Sequence, residues 1–231
     1  MNRRRMLFEH IGFPFEPSGY SLIDTYSISG TFTAPEDGYF QIVLQGASGS
    51  GAQRYQDSDG DSFSGSGGGG GGCAISRVKF KKVDTVRYTL GKAATILSGY
   101  TSATSAGDSS VSINSSIEDY DSLSVTGAEN GQRWLLNDDG LGGPPGGAGG
   151  VGSGGNYGNY TGSSGGDGDD ITSTQEEAIG TAKGGSGGYA GYSGGNKGGK
   201  GEGWIEWELQ DGSLGGDAFI MIYRGNTNKA G

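Results

Sequence analysis

Asp57, Asp59 and Asp61 stand at alternate positions with Gly60 among them, and carboxylates spaced in this way can supply oxygen ligands to a calcium ion. Counted from Asp57, however, the sixth position is Ser62 where a calcium loop has glycine, and the twelfth is Gly68 where it has glutamate. Those departures favour a solvated acidic run, because unpaired aspartates are mostly exposed. Asp167, Asp169 and Asp170 form a second group of the same kind. Asp57 and Asp61 can also be read as the acid pair of a carbohydrate-active enzyme, which would hold them about 5–5.5 or 6.5–9.5 Å apart across a groove. Other catalytic material is scarce. His10 is the sole histidine and Cys73 the sole cysteine, the latter bordering a glycine run, so neither a Ser/His/Asp nor a Cys/His arrangement has obvious members. A phosphate-loop-like string runs from Gly194 to Gly199 and Lys200, but Gly201 stands where the magnesium-binding Ser or Thr belongs. No catalytic residue is expected, and no cofactor beyond calcium at the three aspartates.

Binding chemistry is better supplied. Asn156, Tyr157, Asn159 and Tyr160 form one Gly/Asn/Tyr cluster, and Tyr189 and Tyr192 sit in a second with glycine and serine. Tyrosine brings rigid contact area and a hydroxyl at low entropic cost, and Asn and Ser bring adaptable hydrogen bonds, which suits sugars or variable surface proteins. The same tyrosines can instead cover glycine segments or a neighbouring subunit. Trp134 is a further platform for a sugar, or a core residue.

The elements that must position these residues read as short strands. Runs at 26–32 and 39–45 flank Ala34, Pro35, Glu36, Asp37 and Gly38, a turn cluster that predicts a hairpin. Further strands are expected at 74–80, 85–90, 110–114, 122–126 and 204–209, and the apolar run 218–223 suits a central strand. Glycine, 52 of 231 residues, concentrates between them, in tracts at 65–72, 140–168 and 184–203. Its phase is regular: Gly140, Gly143, Gly146, Gly149, Gly152, Gly155 and Gly158 recur at every third position. Three residues per turn is the polyproline II period, so such glycines would line one edge of an extended helix. An edge without Cβ atoms lets neighbouring helices approach until their N–H and C=O groups pair. Collagen has the same spacing, but Pro144 and Pro145 are too few for a triple helix. With hydrophobic residues at only 32% and so much glycine, helix should be scarce. The expected fold is all-β, an antiparallel β-sandwich of jelly-roll type with an attached layer of polyglycine II helices.

Residues 1–25 carry Arg3, Arg4, Arg5, Phe8, Phe13 and Phe15 without periodicity and read as an extended attachment arm, followed by one glycine-rich domain at 26–231. A net charge of −10 repels nucleic acid. No apolar run is long enough to span a membrane, no signal peptide is evident, and a single cysteine suits a reducing compartment.

The order of these pieces resembles the glycine-rich domains of tailed-phage fibre and adhesin proteins. The resemblance rests on Gly30, Thr31, Phe32, Thr33, Ala34 and Pro35, on the second strand running into Gly46, Gly49 and Gly51, on Val86, Tyr88, Thr89 and Gly91 after the first glycine tract, and on Gly215, Gly216 and Asp217 before the last strand. It covers roughly residues 27–224. It implies a virion protein made in the host cytoplasm and released by lysis, an adhesin or fibre-tip component whose loops bind a bacterial surface glycan or protein. The arm would anchor it to other virion proteins, and a trimer is the homo-oligomer a fibre component would form. A capsid or tail decoration with a purely structural role is the alternative. Here the chain lacks the long shaft and heptads of a fibre, which leaves its place on the particle open.

Overall fold

A computed structural model describes residues 19–52, 65–94, 105–132, 145–168, 196–199 and 213–225, and the backbone of residues 55–56, 62–63, 203–205 and 208–210. No helix occurs among the described residues, and two antiparallel sheets carry the fold. The first has the order β1 (Tyr20–Tyr26), β14 (Phe219–Gly225), β3 (Gly38–Gln45), β6 (Cys73–Phe80), β11 (Gly158–Tyr160). The second runs β10 (Gly152–Ser153), β9 (Leu123–Val125), β8 (Ser109–Asn114), β7 (Thr85–Thr89), β2 (Gly30–Thr33). Two small pairs, β4 (Tyr55–Gln56) with β5 (Ser62–Phe63) and β12 (Gly203–Ile205) with β13 (Glu208–Gln210), complete the strands.

Alternation decides which side chains meet. Phe40, Ile42 and Leu44 on β3, Val78 and Phe80 on β6 and Ile220 and Ile222 on β14 point inward, against Phe32, Val86, Val111, Leu123 and Val125 of the second sheet. Ring contacts fasten this core, Phe40 lying 5.3 Å from Phe80 and 6.0 Å from Phe32 between centroids. The second sheet alternates buried with exposed residues, as a one-sided sheet must. The first is apolar on both faces, its outer side burying Val43, Cys73, Ile75, Met221 and Tyr223. That is why the run 218–223 reads as continuous: β14 lies between β1 and β3 with neighbours on both edges.

Several sequence expectations need correction. The 26–32 and 39–45 runs do not form a hairpin. β2 pairs with β7 and β3 with β14 and β6, so residues 34–37 cross from one sheet to the other and set Phe32 across the core from Phe40. The first strand starts at Tyr20, which puts residues 20–25 in the sheet and not in an arm. The run 204–209 is two strands, with Ile205 paired to Glu208. Within the tract 140–168, residues 152–160 supply β10 to one sheet and β11 to the other. Glycine-rich strands of two or three residues carry no apolar alternation for a reader to detect.

The registers define two poles. Connections 34–37, 81–84 and 115–122 lie at one end of the sandwich, and Tyr20 pairs with Gly225 there, so the chain enters and leaves the sheets at this terminal pole. At the other end β3, β6, β9 and β14 continue directly into glycine-rich segments.

Those segments share a hydrogen-bond pattern with a period of three. Along residues 66–71, the amides of Ser66 and Gly69 donate to Gln132 and Glu129, those of Gly67 and Gly70 to Gly166 and Ser163, and those of Gly68 and Gly71 to Gly199 and Asn196. On the accepting side, the carbonyls of Ser66, Gly69 and Gly72 take the amides of Ala52, Gly49 and Gly46, and those of Gly67 and Gly70 take Gly147 and Gly150. All these bonds span 2.9–3.1 Å. Residues 65–72 are buried throughout, yet their backbone is paired by neighbours on every side. The approach is too close for side chains: a Cβ on Gly69 would overlap the backbone of Ala148, and one on Gly149 would overlap Gly162. Polar side chains pin the segments where glycine cannot. Gln45 Nε2 donates to Gly71 O and Gly72 O, Asn130 Oδ1 accepts from Ser50 N, and Asn196 Nδ2 donates to Gly46 O and Asp217 O.

Candidate functional site

The tyrosines of the 156–160 cluster lie on the flank of the sandwich, on the edge that β11 adds to β6. Their asparagines are committed to the backbone. Asn156 Oδ1 accepts from Arg77 N at 2.9 Å and its Nδ2 donates to Arg77 O at 2.9 Å, so the side chain pairs with β6 as a strand backbone would. Asn159 does the same within its own turn, accepting from Gly155 N at 2.8 Å and donating to Gly155 O at 3.0 Å. Both asparagines stay exposed, each with one amide hydrogen and one lone pair beyond these bonds. The rings remain accessible, Tyr157 at 52% and Tyr160 at 37% exposure.

Arg77, which sequence reasoning overlooked, organises this flank. Its guanidinium carbon lies 3.6 Å from the Tyr157 ring centroid and 5.1 Å from that of Tyr20, within cation–π reach of both. Its Nε donates to Gln41 Oε1 at 3.0 Å, and Gln41, directly opposite on β3, is only 1% exposed. Tyr20 reaches inward from β1 beside Gly225, where a Cβ would stand 3.3 Å from the Tyr20 and Tyr39 side chains. Two residues along β6, Lys79 Nζ sits 5.6 Å from the Tyr39 ring. The readable signal was a cation alternating with apolar residues in a strand of an acidic chain.

The remaining expected site residues divide in two. Arg3, Arg4, Arg5, Phe8, Phe13, Phe15, Asp57, Asp59, Asp61, Trp134, Tyr189 and Tyr192 lie outside the described residues. Asp167 is described and exposed, and its Oδ1 accepts from Gly146 N at 2.9 Å, which ties off the end of a glycine segment. Among the described residues no group of His, Cys, Asp and Glu is placed to hold a metal.

Burial and hydrogen bonding shift several titratable groups among the described residues, Cys73 and Asp84 among them. Burial pushes the Cys73 thiol up to about 12, so it stays protonated and unreactive. Burial by itself would raise the Asp84 carboxyl, but amide bonds from Lys81 and Ser116, the Ser116 hydroxyl and the Lys81 charge outweigh it and hold it below the usual range. Asp84 thereby joins the 81–84 turn to the 115–122 connection at the terminal pole. Compared with known proteins, the chain matches no family model and no curated protein.

Proposed function

We propose that this all-β protein is a non-enzymatic phage virion component, an adhesin or fibre-tip protein that recognises the surface of its bacterial host. Its glycine segments are read as polyglycine II helices, since donors that face three neighbours in rotation match an extended helix with three residues per turn. The observation that carries the reading is the division of the molecule into poles. The chain enters and leaves at one end, where an arm bearing Arg3, Arg4, Arg5, Phe8, Phe13 and Phe15 would engage another virion protein, and the glycine layer forms the other. A layer held by its own backbone gives a rigid base from which the intervening stretches, including Trp134, Tyr189 and Tyr192, would meet a surface glycan or protein.

Immunogold labelling of intact virions with antibody against this chain tests the reading. Label at fibre tips or the tail end is the expected result, and particles without label would overturn it. The commitment of Asn156 and Asn159 to the backbone favours a second reading, a structural decoration of capsid or tail, for which label over the capsid is the signature.

A further inference from the structure

Arg77 is held in place on every side except the one that would neutralise it. Asn156 fixes its backbone, buried Gln41 fixes its Nε, and the rings of Tyr157 and Tyr20 flank its guanidinium. Among the described residues no carboxylate pairs with it, although the chain carries 26 acidic residues and Lys92 and Arg224 do find theirs, in Asp217 and Glu36. A guanidinium fork matches a carboxylate through two parallel hydrogen bonds, and pre-ordering it removes much of the entropic cost of using it. Beside it Tyr157 is still half exposed, and Lys79 adds a second cation about 7 Å further along the same face of the strand, two residues on.

We infer that this flank binds a carboxylated saccharide of the uronic-acid kind, its carboxylate on the Arg77 fork and its ring at the exposed edge of Tyr157. The chemistry favours a sugar over an acidic peptide because the cation is set beside the half-exposed ring of Tyr157 on the outer face of the sheet. There a pyranose can lie flat with its hydroxyls in water. The protein's net charge of −10 repels anionic chains at long range, so recognition must come from these contacts at short range. The inference rests on the adhesin reading for its biological setting, though not for its chemistry.

The test is titration of the full chain with glucuronate, glucose and N-acetylglutamate, followed by the NMR signal of the Arg77 guanidinium and by calorimetry. Glucuronate should shift that signal and bind about tenfold or more tightly than glucose, the discrimination expected of one bidentate charge-assisted pair. Arg77→Gln should erase the difference, and Arg77→Lys should keep only part of it, with melting curves confirming that both variants fold. Tyr157→Ala should weaken glucuronate more than N-acetylglutamate, since both lose the ring that orders Arg77 and only the sugar also loses contact with it. Equal binding of glucuronate and glucose, or an unaffected Arg77→Gln variant, would overturn the site. N-acetylglutamate binding as tightly as glucuronate would overturn the sugar assignment in favour of an acidic peptide. Binding of fluorescent protein to host cells separates the two claims: cell binding without glucuronate binding removes the site alone, and glucuronate binding without cell binding removes the adhesin reading.

Discussion

Replacing Gly149 with alanine separates a packed glycine layer from a flexible linker by the sign of its effect. In a linker the change is neutral or stabilising by about 0.4–1 kcal/mol, because alanine narrows the unfolded ensemble. In this structure the added methyl would collide with the carbonyl of Gly162 and stand 3.0 Å from its Cα, with backbone on the other side and no flexible side chain to yield. The segments must part, which breaks the bonds from Gly162 N to Gly150 O and from Gly165 N to Gly147 O, each 2.9 Å long. With net losses of roughly 1 kcal/mol per bond, and more where the freed groups stay buried, the cost is on the order of 2–4 kcal/mol. For a chain of this length that lowers Tm by about 5–15 °C. Calorimetric melting of Gly149→Ala beside Ala148→Ser, a change at an exposed neighbour expected to stay within about 0.5 kcal/mol, provides the comparison. A Gly149→Ala protein that melts with the wild type would refute the reasoning.

Asp84 should shape acid stability. Its carboxyl is held below the unfolded value, so its contribution is complete above about pH 4 and is lost as pH falls from there through the folded value. Asp84→Asn should cost about 1–3 kcal/mol at pH 7 and flatten the fall in Tm below pH 4; a parallel fall in both proteins would count against the assignment. Cys73 should resist maleimide in the native protein and react only in denaturant, and rapid native labelling would contradict its burial. Val83, 70% exposed at φ 75°, occupies a conformation costly for a β-branched residue, so Val83→Gly should raise stability by about 1 kcal/mol despite glycine's entropy; a lowered Tm would mean that the turn needs the valine.

The residues that pack were legible in the sequence, and the pairing between segments was much less so. Val86 and Tyr88 alternate with polar neighbours, and alternation follows directly from strand geometry. The cluster at 34–38 announces a change of direction, but Pro and Gly carry no information on whether the chain returns to the same sheet or crosses to the other. The period of glycine at 140–158 pointed to backbone pairing, yet Gly152 and Gly158 belong to strands, because glycine tolerates both conformations and its neighbours in space decide. At the candidate site, Tyr157 was singled out by residue type. Arg77 was missed because its significance depends on Gln41 and Tyr20, which approach it only through sheet pairing.

The bonding of residues 66–71 has translational symmetry: moving the tract along its axis by three residues returns each donor to an equivalent acceptor. Such a layer cannot encode its own alignment. That information comes from its boundaries, from the distinctive side chains of β3, β6, β9 and β14 and from Gln45, Asn130 and Asn196 embedded among the glycines. Insertions or deletions of three residues would leave each remaining amide facing its original neighbour, while those of one or two would turn the tract toward the wrong ones. Tolerated changes of length in this layer should therefore come in steps of three residues, with the sandwich beneath it unchanged.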